Sequence, residues 1–323
     1  MNALAFLVTG ATGFIGGAVC QAFATVGRVR ASARREISSG ALGVFEFVRG
    51  DLSKDFDWTR NLKGIDVVVH CGAYVHVRND RSASSLQKFR SVNVEGTVAL
   101  ARRAAELGVR RLVFLSSIGV HGAQTSGRPY RIEDKPAPHS PYAISKFEAE
   151  IALFKLARET GMEVVCIRPP LVYGPNAPGN FSTLLRALAS GIPLPLGAVT
   201  QNKRSFVFVE NLVSLIKCCV DHPAAANQTF IVSDDESLST AALLHRMAKA
   251  LGRPARLFSV PVPLLQMGAA LLGKRSAMQR LCGSLEVDIG KTKELVGWAP
   301  PISVDEGLRR TAVHWLAMQE PHD

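Results

Sequence analysis

Tyr142 and Lys146 stand four residues apart in Tyr142-Ala143-Ile144-Ser145-Lys146, the spacing that places two side chains on one face of a helix. Pro138-His139-Ser140-Pro141 precedes them, and Phe147, Ile151 and Phe154 continue the helical apolar spacing, so the pair falls in the first turns of a helix. A phenol with an ammonium one turn away is an acid–base device. The cation favours the phenolate and lowers the tyrosine pKa, so the oxygen can take or give a proton near neutral pH. Ser117 lies 25 residues upstream, at the end of an apolar run, where its hydroxyl can face the tyrosine and orient the same substrate oxygen. Both features also have plain readings. Tyr-x-x-x-Lys arises as an ordinary surface pair, and a serine after a strand is often a cap or turn residue, so the rest of the chain must decide.

The elements that would position these groups read in order. Residues 3–8 form an apolar strand running into Thr9-Gly10-Ala11-Thr12-Gly13-Phe14-Ile15-Gly16-Gly17, and residues 18–26 read as a helix. Strand, glycine turn and helix build a phosphate cradle: glycine lets the backbone approach a pyrophosphate held at the helix N-terminus. Residues 29–33 make a second strand ending at Arg34 and Arg35; an acid at that place grips the ribose of NAD, whereas arginine suits the 2′-phosphate of NADP. Residues 45–52 alternate as a third strand, ending at Asp51, which is placed to meet the adenine edge or to cap the next helix. Residues 65–70 are a continuous apolar strand with Cys71-Gly72-Ala73 as exit loop, residues 86–107 a long helix, and residues 111–115 a fifth strand. The alternation predicts an α/β fold, a doubly wound parallel sheet with ligands beyond the carboxyl ends of its strands.

Composition bounds the rest. With 323 residues, 47% hydrophobic and 20% charged, the chain has ample material for a core. A net charge of +11 points to anionic partners. No zinc spacing, RNA-binding aromatic signature or basic helix accompanies it, so a phosphate-rich cofactor and substrate explain the excess better than nucleic acid. The six cysteines, at 20, 71, 166, 218, 219 and 282, have no C-x-x-C spacing and read as reduced, buried thiols of a cytoplasmic protein, with no metal site. The start lacks a basic leader. The apolar run 260–273 is too short and too interrupted to span a bilayer and reads as core of a small lobe.

Taken together, Thr9 to Gly16, Asp51-Leu52, His70-Cys71-Gly72-Ala73, Asn93-Val94-Glu95-Gly96-Thr97, Ser116-Ser117, Tyr142 to Lys146 and Arg168-Pro169-Pro170-Leu171-Val172-Tyr173-Gly174-Pro175 resemble, in order, the extended short-chain dehydrogenase/reductase family, in its nucleotide-sugar epimerase/dehydratase branch. The ending, with Asp288-Ile289-Gly290-Lys291, Leu295 to Trp298 and Glu306-Gly307-Leu308, resembles it too. The resemblance implies a Rossmann domain and a catalytic set of Ser117, Tyr142 and Lys146. It implies cofactor contacts from Gly10, Thr12, Gly13, Phe14, Ile15, Gly16, Arg34, Arg35, Asp51, Leu52, Cys71, Gly72, Ala73, Asn93 and Pro169, as well as from Tyr142 and Lys146. Ser117, Asn180 and Arg204 would hold the substrate, the last two at its diphosphate, where arginine offers a two-pronged donor.

Arg34 stands where NAD-retaining epimerases of the family usually carry aspartate, and His121 where tyrosine is usual. These departures make an NADPH-dependent 4-reductase of a UDP-4-keto-6-deoxy-N-acetylhexosamine, serving surface polysaccharide, the first expectation. A UDP-hexose or UDP-N-acetylhexosamine 4-epimerase with retained NAD is the alternative, and a catalytically inactive dinucleotide-binding protein the third. The expected cofactor is NADP(H), with NAD(H) possible, and the expected assembly a homodimer through helices near 86–107 and 142–160. The Rossmann domain is expected over residues 1–175, joined again by segments near 205–232, with a substrate-binding lobe over 176–323. In that second half, residues 181–190, 212–220, 239–251 (Thr240 a possible cap) and 264–272 read as helices, and 206–209 and 230–232 as strands returning to the sheet.

Overall fold

The computed structural model describes residues 3–34, 46–75 and 84–319. Strand β1 (Ala5–Thr9) is buried along its whole length and turns through Gly10 into α1 (Phe14–Phe23). Then come β2 (Arg28–Ala33), β3 (Glu46–Arg49), the single turn α2 (Thr59–Leu62) and β4 (Val67–His70). The helix expected over 86–107 is not uniform: α3 (Ser84–Arg90) passes through a π-helical turn at Ser91–Gly96 before α4 (Thr97–Glu106). Such wide turns interrupt helices at places where side chains must be re-aimed. β5 (Arg111–Leu115) leads through a 3₁₀ turn, Ile118–Val120, and a long loop to α5 (Pro141–Thr160). The start of α5 follows from local chemistry: Ser140 Oγ accepts from the Ala143 amide at 3.2 Å and Pro141 fills the first position, while Gly161, at φ 75°, ends the helix.

β6 (Glu163–Arg168), β7 (Leu171–Tyr173), α6 (Asn180–Ala189), β8 (Arg204–Phe208), α7 (Val209–Asp221), β9 (Thr229–Ile231), β10 (Ser237–Leu238) and α8 (Thr240–Ala250) follow. The last elements are α9 (Val262–Leu271), α10 (Arg275–Cys282), α11 (Gly290–Val296) and α12 (Val304–Ala317).

Seven strands make one parallel sheet, in the order β3-β2-β1-β4-β5-β6-β9. The order reverses between β1 and β4, so a crevice opens beyond their carboxyl ends. Alternate residues of β1 enter different cores. Phe6 and Val8 pack with Val19 and Phe23 of α1 and Leu212 and Ile216 of α7, whereas Ala5 and Leu7 pack with Leu100 of α4 and Leu153 and Leu156 of α5. Helices therefore cover both faces, and the strands read as unbroken apolar runs for that reason.

Three expectations change. The strand at 204–208 does not return to the large sheet: β8 lies between β7 and β10 in a separate three-stranded sheet, while β9 does join the seven strands. A third core gathers around the small sheet, with Phe206, Phe208, Leu244, Met247 and Leu308. The cap of α8 is Ser239, whose hydroxyl accepts from the Ala242 amide at 3.1 Å, and Thr240 instead donates to the Leu281 carbonyl at 2.5 Å. The apolar run around α9 is not simply core: Leu265 and Ala269 are buried, but Leu264, Met267, Leu271 and Leu272 are exposed.

Candidate active site

The glycine turn is packed backbone against backbone. Gly10 holds φ +67°, and a Cβ there would lie 2.8 Å from the Cα of Gly72; a Cβ on Gly16 would lie 2.1 Å from the Gly10 carbonyl oxygen. No side chain caps α1 at Gly13, so the first-turn amides, including those of Phe14, Ile15 and Gly16, face the crevice as donors for an anion. Thr12 is exposed at the lip. This is the close-approach cradle that a pyrophosphate needs, and the residues fit a dinucleotide.

The neighbouring strand ends converge on it. His70, the last residue of β4, is buried between the hydroxyls of Thr9 at 2.6 Å and Thr97 at 2.9 Å, and burial, then the charge of Lys146, pushes its pKa down to about 3. It is a neutral tie between β1, β4 and α4, a role that its place in the sequence pattern did not signal. Gly72 donates to Thr9 Oγ1 at 3.2 Å and meets Leu52, whose carbonyl in turn abuts Gly96 in the π turn. Cys71 is half-buried beside this contact, its thiol pushed up to about 12 by burial, and Ala73 follows, half-buried. Asp51 lies next to the end of β2, because the Gly50 amide donates to Ala33 O at 2.9 Å; its carboxylate closes a tight turn by accepting from the Ser53 amide at 3.1 Å. Asp51 therefore does not cap the next helix, whose N-cap is Trp58, and closes a turn instead. Arg34 is exposed immediately after β2, and Arg35 lies outside the described residues.

Asn93 stands in the π turn and donates to Tyr74 O at 3.0 Å and to Ser145 Oγ at 3.0 Å, while accepting from the Tyr74 amide at 2.7 Å. Both amide hydrogens are engaged, so Asn93 acts by fastening the loop after β4 to α5, and Ser145 completes the link by donating to Tyr142 O at 2.8 Å. Phe89 adds an aromatic wall between Tyr74 and Tyr142, with ring centres 5.1 and 6.1 Å away.

Lys146 is buried, its ammonium 4.2 Å from the centre of the Phe114 ring, a cation–π contact. Burial lowers its pKa to about 8, against the opposing influence of Cys71, Glu150 and Cys166. The expectation of a depressed tyrosine is reversed. Tyr142, half-buried, makes no hydrogen bond with Lys146, and burial raises the phenol to about 12. The spacing was right for a shared face, but Lys146 points under the helix toward Phe114. Ser117 is half-buried and accepts from the Gly119 amide at 3.1 Å; a Cβ on Gly119 would lie 3.4 Å from that of Ala143, so the serine turn packs one residue from Tyr142. Next to it the buried hydroxyl of Ser116 has no partner among the described residues. Pro169 is buried, and its carbonyl accepts from the Ile118 amide at 2.9 Å, fixing the serine turn to the end of β6.

A buried cluster escaped the sequence reading. Glu150, one turn after Lys146, receives both prongs of Arg168, Nε at 2.9 Å and Nη2, and Arg168 Nη1 lies 2.8 Å from His121 Nε2. His121 stacks on Tyr130 at 5.5 Å, and burial, then Arg168, lowers its pKa to about 4. Arg168 and His121 were both visible in the sequence, but their shared carboxylate on α5 was not.

Arg204 opens β8 in the second sheet, apart from Ser117, Tyr142 and Lys146, and donates to Gly283 O at 3.1 Å. Burial lowers its pKa and the neighbouring Arg280 lowers it further. No carboxylate pairs with it among the described residues. Asn180 is the first residue of α6, behind Gly179 at φ 78°; its side chain is outside the described part. No group of three or more His, Cys, Asp or Glu that could hold a metal occurs among the described residues, and none of their helices is long and apolar enough to cross a membrane.

Residues 6–233 match the NAD dependent epimerase/dehydratase family. The chain is 44% identical, over 96% of its length and 95% of the relative's, to a UDP-glucose 4-epimerase of Vibrio cholerae. It is 28% identical, over 81% of each chain, to the N-acetyl-alpha-D-glucosaminyl-diphospho-ditrans,octacis-undecaprenol 4-epimerase of Escherichia coli O157:H7. Its fold matches the crystal structure of UDP-glucose 4-epimerase with UDP-glucose from Thermotoga maritima with a TM-score of 0.79 at 21% identity, covering 98% of this chain and all of that one.

Proposed function

Because this chain belongs to the NAD dependent epimerase/dehydratase family, we propose that it is a 4-epimerase of a UDP-linked hexose or N-acetylhexosamine, working with a retained NAD. The observation that carries the reading is the 44% identity, across nearly the whole chain, to an enzyme named for that reaction. It displaces the 4-keto-sugar reductase as the leading interpretation.

In this reading the cradle of Gly10, Gly13 and Gly16 and the open turn of α1 hold the pyrophosphate, and Leu52, Gly72 and Ala73 wall the crevice. When bound, the nicotinamide takes and returns a hydride. Tyr142 is a neutral phenol in the free chain, and beside the positive charge of the bound cofactor it would lose its proton to solvent more readily. As phenolate it would take the proton of the sugar 4-hydroxyl and return it after the 4-keto sugar has turned its other face, while Ser117 donates to the same oxygen. Lys146, whose buried ammonium rests against the Phe114 ring in the free chain, would have to turn toward the cofactor ribose to hold it and to favour the phenolate of Tyr142. Arg204, which pairs with no carboxylate among the described residues, receives the substrate diphosphate, and Asn180 at the start of α6 is assigned to the same group. The division into a dinucleotide-binding part up to residue 175 and a substrate lobe beyond it belongs to the same proposal. So do a cytoplasmic location and a homodimer through α3, α4 and α5, on whose surface Ile151 is exposed.

The test is to incubate the purified protein with UDP-glucose, UDP-galactose and their N-acetyl counterparts without added cofactor and to resolve the products. Interconversion, with NAD released on denaturation, is expected. A protein that converts none of them, but consumes NADPH in step with a UDP-4-keto sugar, overturns the epimerase in favour of the reductase, the reading that the exposed Arg34 at the end of β2 favours.

A further inference from the structure

The outer face of α9 is an apolar surface without a partner among the described residues. Leu264, Met267 and Leu271 recur at i, i+3 and i+7, one helix face. They are 52%, 58% and 83% exposed, and Leu272 just beyond is 74% exposed. The opposite face is ordinary core, with Leu265 and Ala269 buried. Scattered single apolar residues on a surface need no explanation, but four large ones on one short helix and its end do.

The stretch of chain that carries this face is one-sided in charge. From Ser237 to Leu285 the sequence holds five arginines and two lysines and neither aspartate nor glutamate. Arg246 of that stretch is drawn into ion pairs with acids from outside it, Glu236 and Asp305. Lys274 and Arg275 follow the last exposed leucine directly and are themselves exposed. Apolar side chains bordered by cations match one chemical surface closely: the acyl boundary of a bilayer beneath anionic headgroups. A second copy of the chain would bring the same cations against each other, which argues against self-association through this face.

From this pattern we infer that the end of α9, with Leu264, Met267, Leu271 and Leu272 as the inserted face and Lys274 and Arg275 at the headgroups, docks the protein on an anionic lipid bilayer. The helix lies on the membrane and does not cross it: its ten residues are too few to span. A cleft of about 720 Å³ between α9 and α10 is lined by Gln266, Ala270, Arg275 and Gly283. Gly283 is the residue whose carbonyl Arg204 grips, so docking sets the Arg204 side of the molecule close to the membrane surface. The inference stands on the surface alone and holds whichever sugar is the substrate.

Co-sedimentation of the full-length protein with vesicles tests it. The parent protein is expected to pellet with vesicles of equal parts phosphatidylcholine and phosphatidylglycerol, to stay in solution with phosphatidylcholine alone, and to be released by salt. Leu271→Glu with Leu272→Glu should abolish pelleting while leaving turnover of a soluble nucleotide sugar unchanged. Lys274→Glu should weaken partition about fivefold or more, from about 1 kcal/mol per cation near the surface. Parent protein that stays in the supernatant with anionic vesicles overturns the inference, as does a double variant that pellets as well as the parent. A parent protein that light scattering finds as an assembly split by the double substitution also overturns it, since the face then belongs to a second copy. Loss of epimerase activity would not touch this result, and failure to bind vesicles would not touch the epimerase reading.

Discussion

Arg168 and Arg204 are both strand-end arginines, yet their surroundings give them opposite characters. Arg168 ends β6, is 6% exposed, and is held in a two-pronged ion pair with Glu150 and a bond to His121. Arg204 opens β8, is half-buried, and has a carbonyl and a second arginine for company. Taking a cation out of water is costly and is normally offset by an anion. The first site contains its anion. The second shows no anion paired with Arg204 among the described residues, and its electrostatics become favourable when an anionic group arrives. A charge completed within the chain serves the fold, and a charge left incomplete marks a place for a ligand.

The sharpest way to break that contrast is to remove the completed cation. Arg168→Met leaves Glu150 buried without a partner and should cost about 3–5 kcal/mol of stability, read as a shift in the denaturation midpoint. Adding Glu150→Gln should recover much of the loss, because the stranded charge is then gone. A single variant as stable as the parent would mean that the pair is not what holds α5 to β6.

Lys146 is an intermediate case, a buried cation facing the Phe114 ring with Glu150 one turn away. Lys146→Met should lower kcat on the order of 10²-fold without lowering stability at neutral pH. The sign follows from its depressed pKa. Between about 8 in the folded chain and the ordinary lysine value of 10.5, the unfolded chain binds more protons. Stability therefore rises with pH across that window, and the cost of burying the lysine is greatest below it. The methionine variant should lose this alkaline rise. A variant that loses stability and activity together would assign Lys146 to the fold.

Arg204→Met is the mirror of the first test. With no acid stranded, its stability should stay within about 1 kcal/mol of the parent, while KM for the nucleotide sugar should rise about tenfold or more with a smaller change in kcat. A protein that unfolds with unchanged KM would reverse the roles of the two arginines.

The same contrast explains what the sequence could tell. The glycine cradle, the capped start of α5 and the alternating strands depend on residues close together in the chain, and they stand where periodicity and turn chemistry put them. What the sequence hid depends on distant partners. Glu150 and Arg168 meet across a helix-to-strand connection, and Asn93 reaches Ser145 from 52 residues away through a π turn that no local pattern announces. Four-residue spacing correctly placed Tyr142 and Lys146 on one helix, yet it could not tell that Lys146 would turn under it, because the Phe114 ring that receives the ammonium comes from β5. Residues 206–209 read as a strand, but which sheet it joins is set by β7 and β10.

His121 gives the finest test, because it belongs to the completed site and titrates. Its pKa is held near 4 by burial and by Arg168, so it stays neutral in the fold at pH values where the unfolded chain is already protonated. Between the ordinary histidine value of 6.5 and about 4 the unfolded state binds the extra proton, and stability falls as the pH drops through that window. Replacing it by His121→Asn should cost about 1 kcal/mol at neutral pH for the disturbed bond to Arg168 and should flatten the acid limb of the stability curve by up to one proton. If the limb is equally steep in the variant, the proton is taken up elsewhere and His121 is not part of the electrostatic unit around Arg168. If it flattens while KM for the nucleotide sugar is unchanged, the division holds: this cluster answers to pH through the fold, and the Arg204 region answers to the substrate.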